Sequence, residues 1–327
     1  MHQWTEGTPG QEWDDALFKA GGHFLQSSHW AAFNVKLGRR VFYAYGPSWQ
    51  CLAILEPART GTRLYCPYGP LAKNMKGLAS ALEALRQLAK MHKAVFARVE
   101  PTVKASTAQL RELELKPALK DIQPRLTWVL DLKPTEEELL KNMTATNRNL
   151  YNNYKTKGLH LRASDNPADM HIFIKMMAEV ALRNGIRQHS DHYYKTMAGV
   201  LLPRGAAKLY IAEHNGQPVA SAFCFDSPTT RYYAHAAALF AARKLHPGTP
   251  LLAAAILAAK AQGQTQFDFV GVAPADAPPT HRWAGLTKFK QSFGGDYKAY
   301  CGTWELPVSW LRYGVYRGAY LVKRRLQ

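Results

Sequence analysis

The order strand, helix, strand occurs twice along this chain, once on each side of Pro134, and no other feature narrows the fold as much. In the first half, VFYAYG (41–46), CLAILE (51–56) and AVFARVEP (94–101) surround the helical pattern SALEALRQLAKMHK (80–93), and LTWVLDL (126–132) runs up to the proline. In the second half, EELLKNMTATNRNLYNNYKTKG (137–158), FIKMMAEVALRNG (173–185) and LLAAAILAAKAQG (251–263) have helical spacing and end at glycine. Between and after them lie the strand-type runs 208–226, 231–238 and QFDFVG (266–271). The run 208–226 divides at His214-Asn215-Gly216-Gln217, where Asn-Gly supplies the positive φ values of a tight hairpin. A strand, a crossover helix and a second strand make an α/β (α+β) unit, so the chain is expected to hold two. Its 327 residues suit two domains. The boundary is set at the join, where Thr135 and Glu138 form a capping box just after Pro134. The expected domains are 1–134, completed by a returning segment 306–327, and 135–305.

Charge narrows the partners. The chain carries 42 Lys+Arg against 24 Asp+Glu, a net +18, which points to a polyanionic partner. No run of five like charges and no RNP1, KH or zinc-finger signature accompanies it, so a dedicated reader of nucleic-acid sequence is not indicated. Cys51, Cys66, Cys224 and Cys301 lack metal-ligand or disulfide spacing and read as reduced, mostly buried thiols. No long uncharged apolar run is present, and the start MHQWTEGTPGQEWDD has no secretory pattern. The expected location is cytoplasmic.

Two basic segments carry functional readings beside plainer ones. In 137–158 the residues Asn147, Arg148, Asn152, Asn153, Lys155 and Lys157 crowd the polar faces, either as a solvated surface or as contacts to a phosphate backbone. The tail SWLRYGVYRGAYLVKRRLQ (309–327) sets Tyr313, Tyr316 and Tyr320 at helical steps, with Arg312, Arg317, Lys323, Arg324 and Arg325 as its charges. The tyrosines are expected to pack on the first domain, and the charges to be solvated or to touch anionic membrane or RNA.

Taken in order, QSSHWAAFNVKLGRR (26–40), YCPYGPL (65–71), RVEP (98–101), QPRLTWVLDLKPTEEELLKNM (123–143), NRNLYNNYKTKGL (147–159), NGQPVASAF (215–223), FDFVG (267–271) and GLTKFKQSFGG (285–295) resemble the successive motifs of the FemABX peptidyltransferases. The resemblance covers almost the whole chain. It implies two GNAT-like domains in tandem, and an enzyme that moves an amino acid from aminoacyl-tRNA to the stem peptide of a peptidoglycan precursor. No heptad stretch for a coiled-coil arm is present, so the chain resembles the compact branch that acts on a UDP-linked muropeptide; a lipid-linked precursor is the other acceptor form. A monomer is expected, with no cofactor beyond aminoacyl-tRNA as co-substrate and with peripheral membrane contact through 309–327.

By this resemblance, Phe289 and Lys290 match the family's Phe-Lys pair. Aminoacyl transfer passes through an oxyanion that fixed positive charge stabilises, and an unperturbed lysine, with a pKa of about 10.4, is charged at neutral pH. Phe289 would lie against the RNA acceptor end. Lys36 matches the family's lysine on the nucleotide phosphates, with Gly38 after it allowing close backbone approach. In GIRQHSDHYY (185–194) the family's Arg or His before a tyrosine pair maps onto Arg187, His189 and Tyr193; Tyr68 and Tyr232 are further substrate-binding candidates. Asp268 and Glu100 read as strand-end carboxylates with a structural or catalytic role, and His281 as a proton carrier. No metal constellation and no GxSxG or Cys-His signature occurs. Two other readings stand beside this one. An acyl-CoA-dependent GNAT enzyme is disfavoured by ARKLHPGTPLL, which has one glycine and a proline where amides should donate. A noncatalytic RNA-binding protein rests on charge alone.

Overall fold

The computed structural model describes residues 3–58 and 61–325, with side chains as far as Tyr320. The chain divides into two units, Met1–Arg125 with Ala299–Gln327, and Leu126–Lys298. Residues 126–134, read from the sequence as the end of the first domain, enter the second unit because Leu126–Asp131 pairs with Gln266–Gly271. The return to the first unit comes by residue 299, ahead of the strand Trp304–Pro307 that pairs with Ala94–Val99.

The two units share one layout. In the first, Arg40–Gly46, Trp49–Ala58 and Gly61–Cys66 run antiparallel in turn. Ala94–Val99 lies parallel to Gly61–Cys66, and Trp304–Pro307 adds antiparallel on its far side. The crossover is the helix Met75–Met91, which starts earlier than its apolar spacing suggests because the Asn74 side chain accepts from the Gly77 N–H at 2.9 Å. Leu78, Leu82, Leu85 and Leu88, at three- and four-residue steps, are buried in one cluster with Phe42, Leu64 and Val99.

In the second unit, Leu159–Ser164, Ala207–His214, Gln217–Asp226 and Thr230–Ala238 are successively antiparallel. Gln266–Gly271 is parallel to the last of these and antiparallel to Leu126–Asp131. The crossover helix here is Gly248–Ala261. The hairpin turns at Asn215 and Gly216, with φ of 51° and 72°, as its sequence requires. The single helix expected over 137–158 is broken into Glu136–Asn142 and Ala145–Asn152. Met143 turns extended, Thr144 caps the second piece through the Asn147 N–H, and the Thr144 N–H itself donates to the Ser292 carbonyl. Arg148 donates to the carbonyls of Lys141 and Met143 at 2.9 and 3.1 Å, and Asn147 donates to Ser292 Oγ at 2.6 Å. Both are therefore occupied in closing the helix break, which takes them out of the phosphate-contacting face read from the sequence.

Each unit also buries an arginine. Arg231, fully buried, donates from Nε and Nη2 to the two Asp226 oxygens at 2.7 Å each, and on to Gln262 and Tyr210. Arg98 donates to Glu305 Oε1 at 2.5 Å and to the Tyr316 hydroxyl at 2.7 Å. Tyr313 donates to the other Glu305 oxygen at 2.8 Å. These bonds fix the helix Trp310–Arg325 to the first unit, with Tyr313 and Tyr316 buried against Val95 and Phe96. Tyr320 is half-buried. The expected packing of the tyrosine stripe is thus observed at its first two positions, while the side chains of Lys323, Arg324 and Arg325 lie outside the described residues. No helix among the described residues is long and apolar enough to cross a membrane. The cysteines are free, and Cys51, Cys66 and Cys224 are buried.

Because the Tyr316 ring fills the space over Phe96 and its hydroxyl serves a buried guanidinium, Tyr316→Ala should cost roughly 3–5 kcal/mol, and Tyr316→Phe about 1 kcal/mol. Urea unfolding would check both; equal stability of the alanine variant and the parent would show that the helix is not docked through this residue.

Candidate functional site

The KFKQSFGG stretch folds as the last turns of the helix Ala284–Gln291 followed by a sharp exit. Gly295 takes φ of +102°, and a Cβ there would sit 2.5 Å from the Val129 carbonyl oxygen, so only glycine lets the chain pass this strand. The Trp128 indole N–H closes the exit by donating to the Gly294 carbonyl at 2.7 Å. Lys290 is thereby turned inward and is only 5% exposed. Its Nζ donates to the Gly271 carbonyl at 2.6 Å.

The carbonyl belongs to a bulge. The ladder between Gln266–Gly271 and Leu126–Asp131 is regular to Asp268 opposite Val129 and resumes at Gly271 opposite Thr127, leaving two residues against one. Val270, in the bulge, has φ of +61°. Asp268, buried, accepts from the Val270 N–H at 2.7 Å and from the Thr127 hydroxyl at 3.4 Å. Burial pushes its carboxyl up to about 6, against the Val270 N–H and the Lys298 and Lys290 charges. Burial pushes Lys290 down to about 8, with the Asp268 charge opposing. The unperturbed value expected for this lysine is overturned by that burial. At about 8, protonated Lys290 still outnumbers the free amine about ten to one at pH 7, so the side chain keeps its positive charge. Tyr232 is buried as the cross-strand neighbour of Asp268.

Phe289 is partly buried, edge-on to Phe293 at 5.3 Å. It lines a cavity of about 400 Å³ at the start of the helix Gly248–Ala261, together with Arg183, Ser221, Phe240, Arg243 and Thr249. Arg243 lies 4.1 Å and Arg183 5.3 Å from the Phe240 ring centre. Among the described residues the buried Ser221 hydroxyl has no hydrogen-bond partner. Two guanidiniums and aromatic walls suit a ligand that carries both phosphate and base. Of these residues only Arg243 stands in a segment with a functional reading in the sequence, ARKLHPGTPLL; Arg183, Ser221 and Phe240 carry no local signal and meet it only in the fold.

Arg187, His189 and Tyr193 lie between and on the helices Met170–Asn184 and Asp191–Leu201. His189 stacks on Tyr193 with ring centres 4.0 Å apart, while Arg187 is exposed. His235 approaches His189 at 6.4 Å, and burial, with His189 nearby, pushes it down to about 4.

In the first unit, Lys36 is exposed at the end of the helix Ser28–Lys36, followed by Gly38 at φ of +77°. Tyr68 is buried between the rings of His23 and Tyr300, and its hydroxyl donates to the Pro124 carbonyl at 3.0 Å. Glu100 accepts from the Tyr65 and Thr303 hydroxyls and the Tyr68 and Gln123 N–H groups, the hub its strand-end position suggested. In the second unit, His281 accepts the Trp283 N–H on Nδ1. A further cavity in the first unit, of about 1030 Å³, is walled by Trp13, Tyr43, Tyr45 and Trp49, with Lys19 and Lys73.

An acetyltransferase (GNAT) domain model matches residues 141–290. Lipid II:glycine glycyltransferases of Staphylococcus saprophyticus and Staphylococcus epidermidis are each 26% identical to the chain over 230 residues, which is 63% of this chain and 55% of theirs. The chain thus spans about half the length of the curated relatives it matches. Among solved structures, FemX superposes with a TM-score of 0.82 at 17% identity, covering 95% of this chain and 99% of that one. A tandem GNAT protein from the clavulanic acid biosynthesis pathway gives 0.57 at 13% identity, covering 94% and 99%. The tandem layout, the domain model on the unit that carries Phe289 and Lys290, and the similarity to the glycyltransferases and to FemX agree with the resemblance to the FemABX peptidyltransferases.

Proposed function

We propose that the chain is an aminoacyltransferase that takes an amino acid from aminoacyl-tRNA and joins it to the stem-peptide amine of a peptidoglycan precursor, forming an interpeptide bridge. The observation that carries the reading is the Lys290 ammonium, nearly buried, anchored on the Gly271 carbonyl and adjacent in sequence to a phenylalanine that lines an arginine-flanked cavity. In the reaction the precursor's amine attacks the ester carbonyl of the charged tRNA. The carbonyl oxygen becomes an oxyanion, which Lys290 stabilises, and the intermediate collapses with loss of the ribose hydroxyl. The tRNA acceptor end takes the cavity: Arg183 and Arg243 meet phosphate, and Phe289 and Phe240 meet base.

The acceptor is a UDP-linked or lipid-linked precursor, held with help from Lys36 and the Arg187, His189 and Tyr193 group. The glycyltransferase relatives act on lipid II by their names, which supports a precursor of this class. The chain works as a cytoplasmic monomer, with peripheral contact to anionic membrane through the last helix. That helix exposes Trp310, Leu311 and Val315 beside its basic residues, the pairing of apolar and cationic groups that an anionic interface favours. The GNAT match and the cavity at a helix N-terminus also favour an acyl-CoA donor, but Pro247 beside Gly248 removes an amide that a pyrophosphate would need.

Lys290→Met should lower turnover by roughly 10²- to 10³-fold, as removal of an oxyanion donor does, with charged-tRNA affinity retained; near-parental turnover measured on charged tRNA and UDP-muropeptide would sink the assignment. Exchange of Arg183 and Arg243 for Gln should weaken charged-tRNA binding and reduce its salt slope by about 0.7 for each phosphate that is no longer neutralised. An unchanged slope, or full activity with an aminoacyl-CoA donor, would favour the coenzyme reading. Lys36→Ala should raise the KM for the precursor and leave tRNA affinity alone, and the reverse pattern in steady-state kinetics would transfer Lys36 to the other substrate.

A further inference from the structure

A valine in the left-handed region is a strained choice, because its branched Cβ crowds the backbone there and glycine would not. Val270 is held in it, and the bond that holds it comes from Asp268, whose Oδ1 accepts the Val270 N–H at 2.7 Å. Side-chain oxygens that accept the amide two residues on are the ordinary means of bracing such turns. One residue beyond Val270, the Gly271 carbonyl is the acceptor for Lys290 Nζ. Asp268, Val270, Gly271 and Lys290 therefore form one mechanical sequence that ends at the ammonium. Asp268 and Lys290 are linked through this sequence and through charge.

Resting on the transferase reading above, we propose that Asp268 is the positioning residue for Lys290: its carboxylate braces the bulge that aims the Gly271 carbonyl at the ammonium, and its negative charge is the buried counterpart of that ammonium. The charged groups that act on the pair are Asp268 on its strand, Lys290 on its helix and Lys298 on the strand Asp296–Ala299. With Asp268 ionised, Lys290 is held up at about 8; without that charge, burial alone sets its value and the ammonium gives up its proton at lower pH. The chemistry requires the charged form, so activity should fall as pH rises through Lys290's value, and loss of the Asp268 charge should move that fall to lower pH.

Asp268→Asn keeps an oxygen for the Val270 N–H and removes only the charge. It should shift the alkaline limb of kcat downward by about one pH unit, with little change in the KM for either substrate. Asp268→Ala removes the brace as well and should lose roughly tenfold or more in kcat. Adding Val270→Gly, which adopts the left-handed turn without strain, should restore part of that loss. The Lys290 side-chain titration, followed by 13C NMR at Cε in the parent and in Asp268→Asn, reads the same coupling without reference to activity, and decides the matter if the alanine variant does not fold. An unshifted titration together with parental kcat and pH profile in Asp268→Asn would overturn the proposal. If Lys290→Met retained full turnover while the titration still shifted in Asp268→Asn, the transferase reading would fail and the coupling between the two residues would stand. If Lys290→Met were inactive and Asp268→Asn unchanged in both readouts, the failure would be that of Asp268 alone.

Discussion

An ammonium kept almost wholly from water has to be compensated where it lies, and much of the second unit around the site is shaped by that requirement. Removing such a charge from water costs several kcal/mol unless hydrogen bonds and an opposite charge replace the solvent. The Gly271 carbonyl supplies the bond and Asp268 the charge. The carbonyl is available because two residues stand against one in the neighbouring strand. The lysine reaches it because the helix Ala284–Gln291 ends in a turn that only Gly295 lets pass Val129. A bulge, a strained valine and a glycine without room for a side chain thus serve a single buried charge.

Both units use the same plan: antiparallel strands, one parallel strand reached by a crossover helix, and a last antiparallel strand brought from elsewhere in the chain. In the second unit that last strand, Leu126–Asp131, precedes the rest; in the first, Trp304–Pro307 follows them after the whole second unit. Each carries a buried arginine paired with a carboxylate, Arg231 with Asp226 and Arg98 with Glu305. Such pairs are poor sources of net stability but penalise any arrangement that leaves one partner alone. Arg98 shows the use of this clearly. Its partners Glu305 and Tyr316 lie more than two hundred residues later, so a docking of the C-terminal segment that left Arg98 unpaired would be penalised.

Local patterns in the sequence were sufficient for the elements with strong periodicity. The Asn-Gly hairpin at 215–216 and the Thr135–Glu138 cap are set by interactions within a few residues and are found as read, and the leucine-rich helix is found with its start moved from 80 to Met75. The helix expected over 137–158 was not, because Met143 and Thr144 have unremarkable propensities and the break is stabilised by Ser292 and by Arg148 reaching back. The division at residue 126 was equally hidden, since whether LTWVLDL closes one sheet or opens another depends on which strand it meets.

Residue order and type by themselves determined the two α/β units, the basic character, the Phe289-Lys290 pair with its double glycine, and the helical tyrosine stripe of the tail. These follow from spacing and from resemblance, and need no knowledge of what lies across space. What only the tertiary structure decided is that Lys290 faces inward, that burial lowers it against the charge of Asp268 twenty-two positions earlier, that Arg183 and Arg243 converge with Phe289 on one cavity, and that Arg148 is spent on carbonyls. The reason is physical: burial and charge coupling are properties of what surrounds a group, and those surroundings are assembled from segments that the sequence keeps far apart.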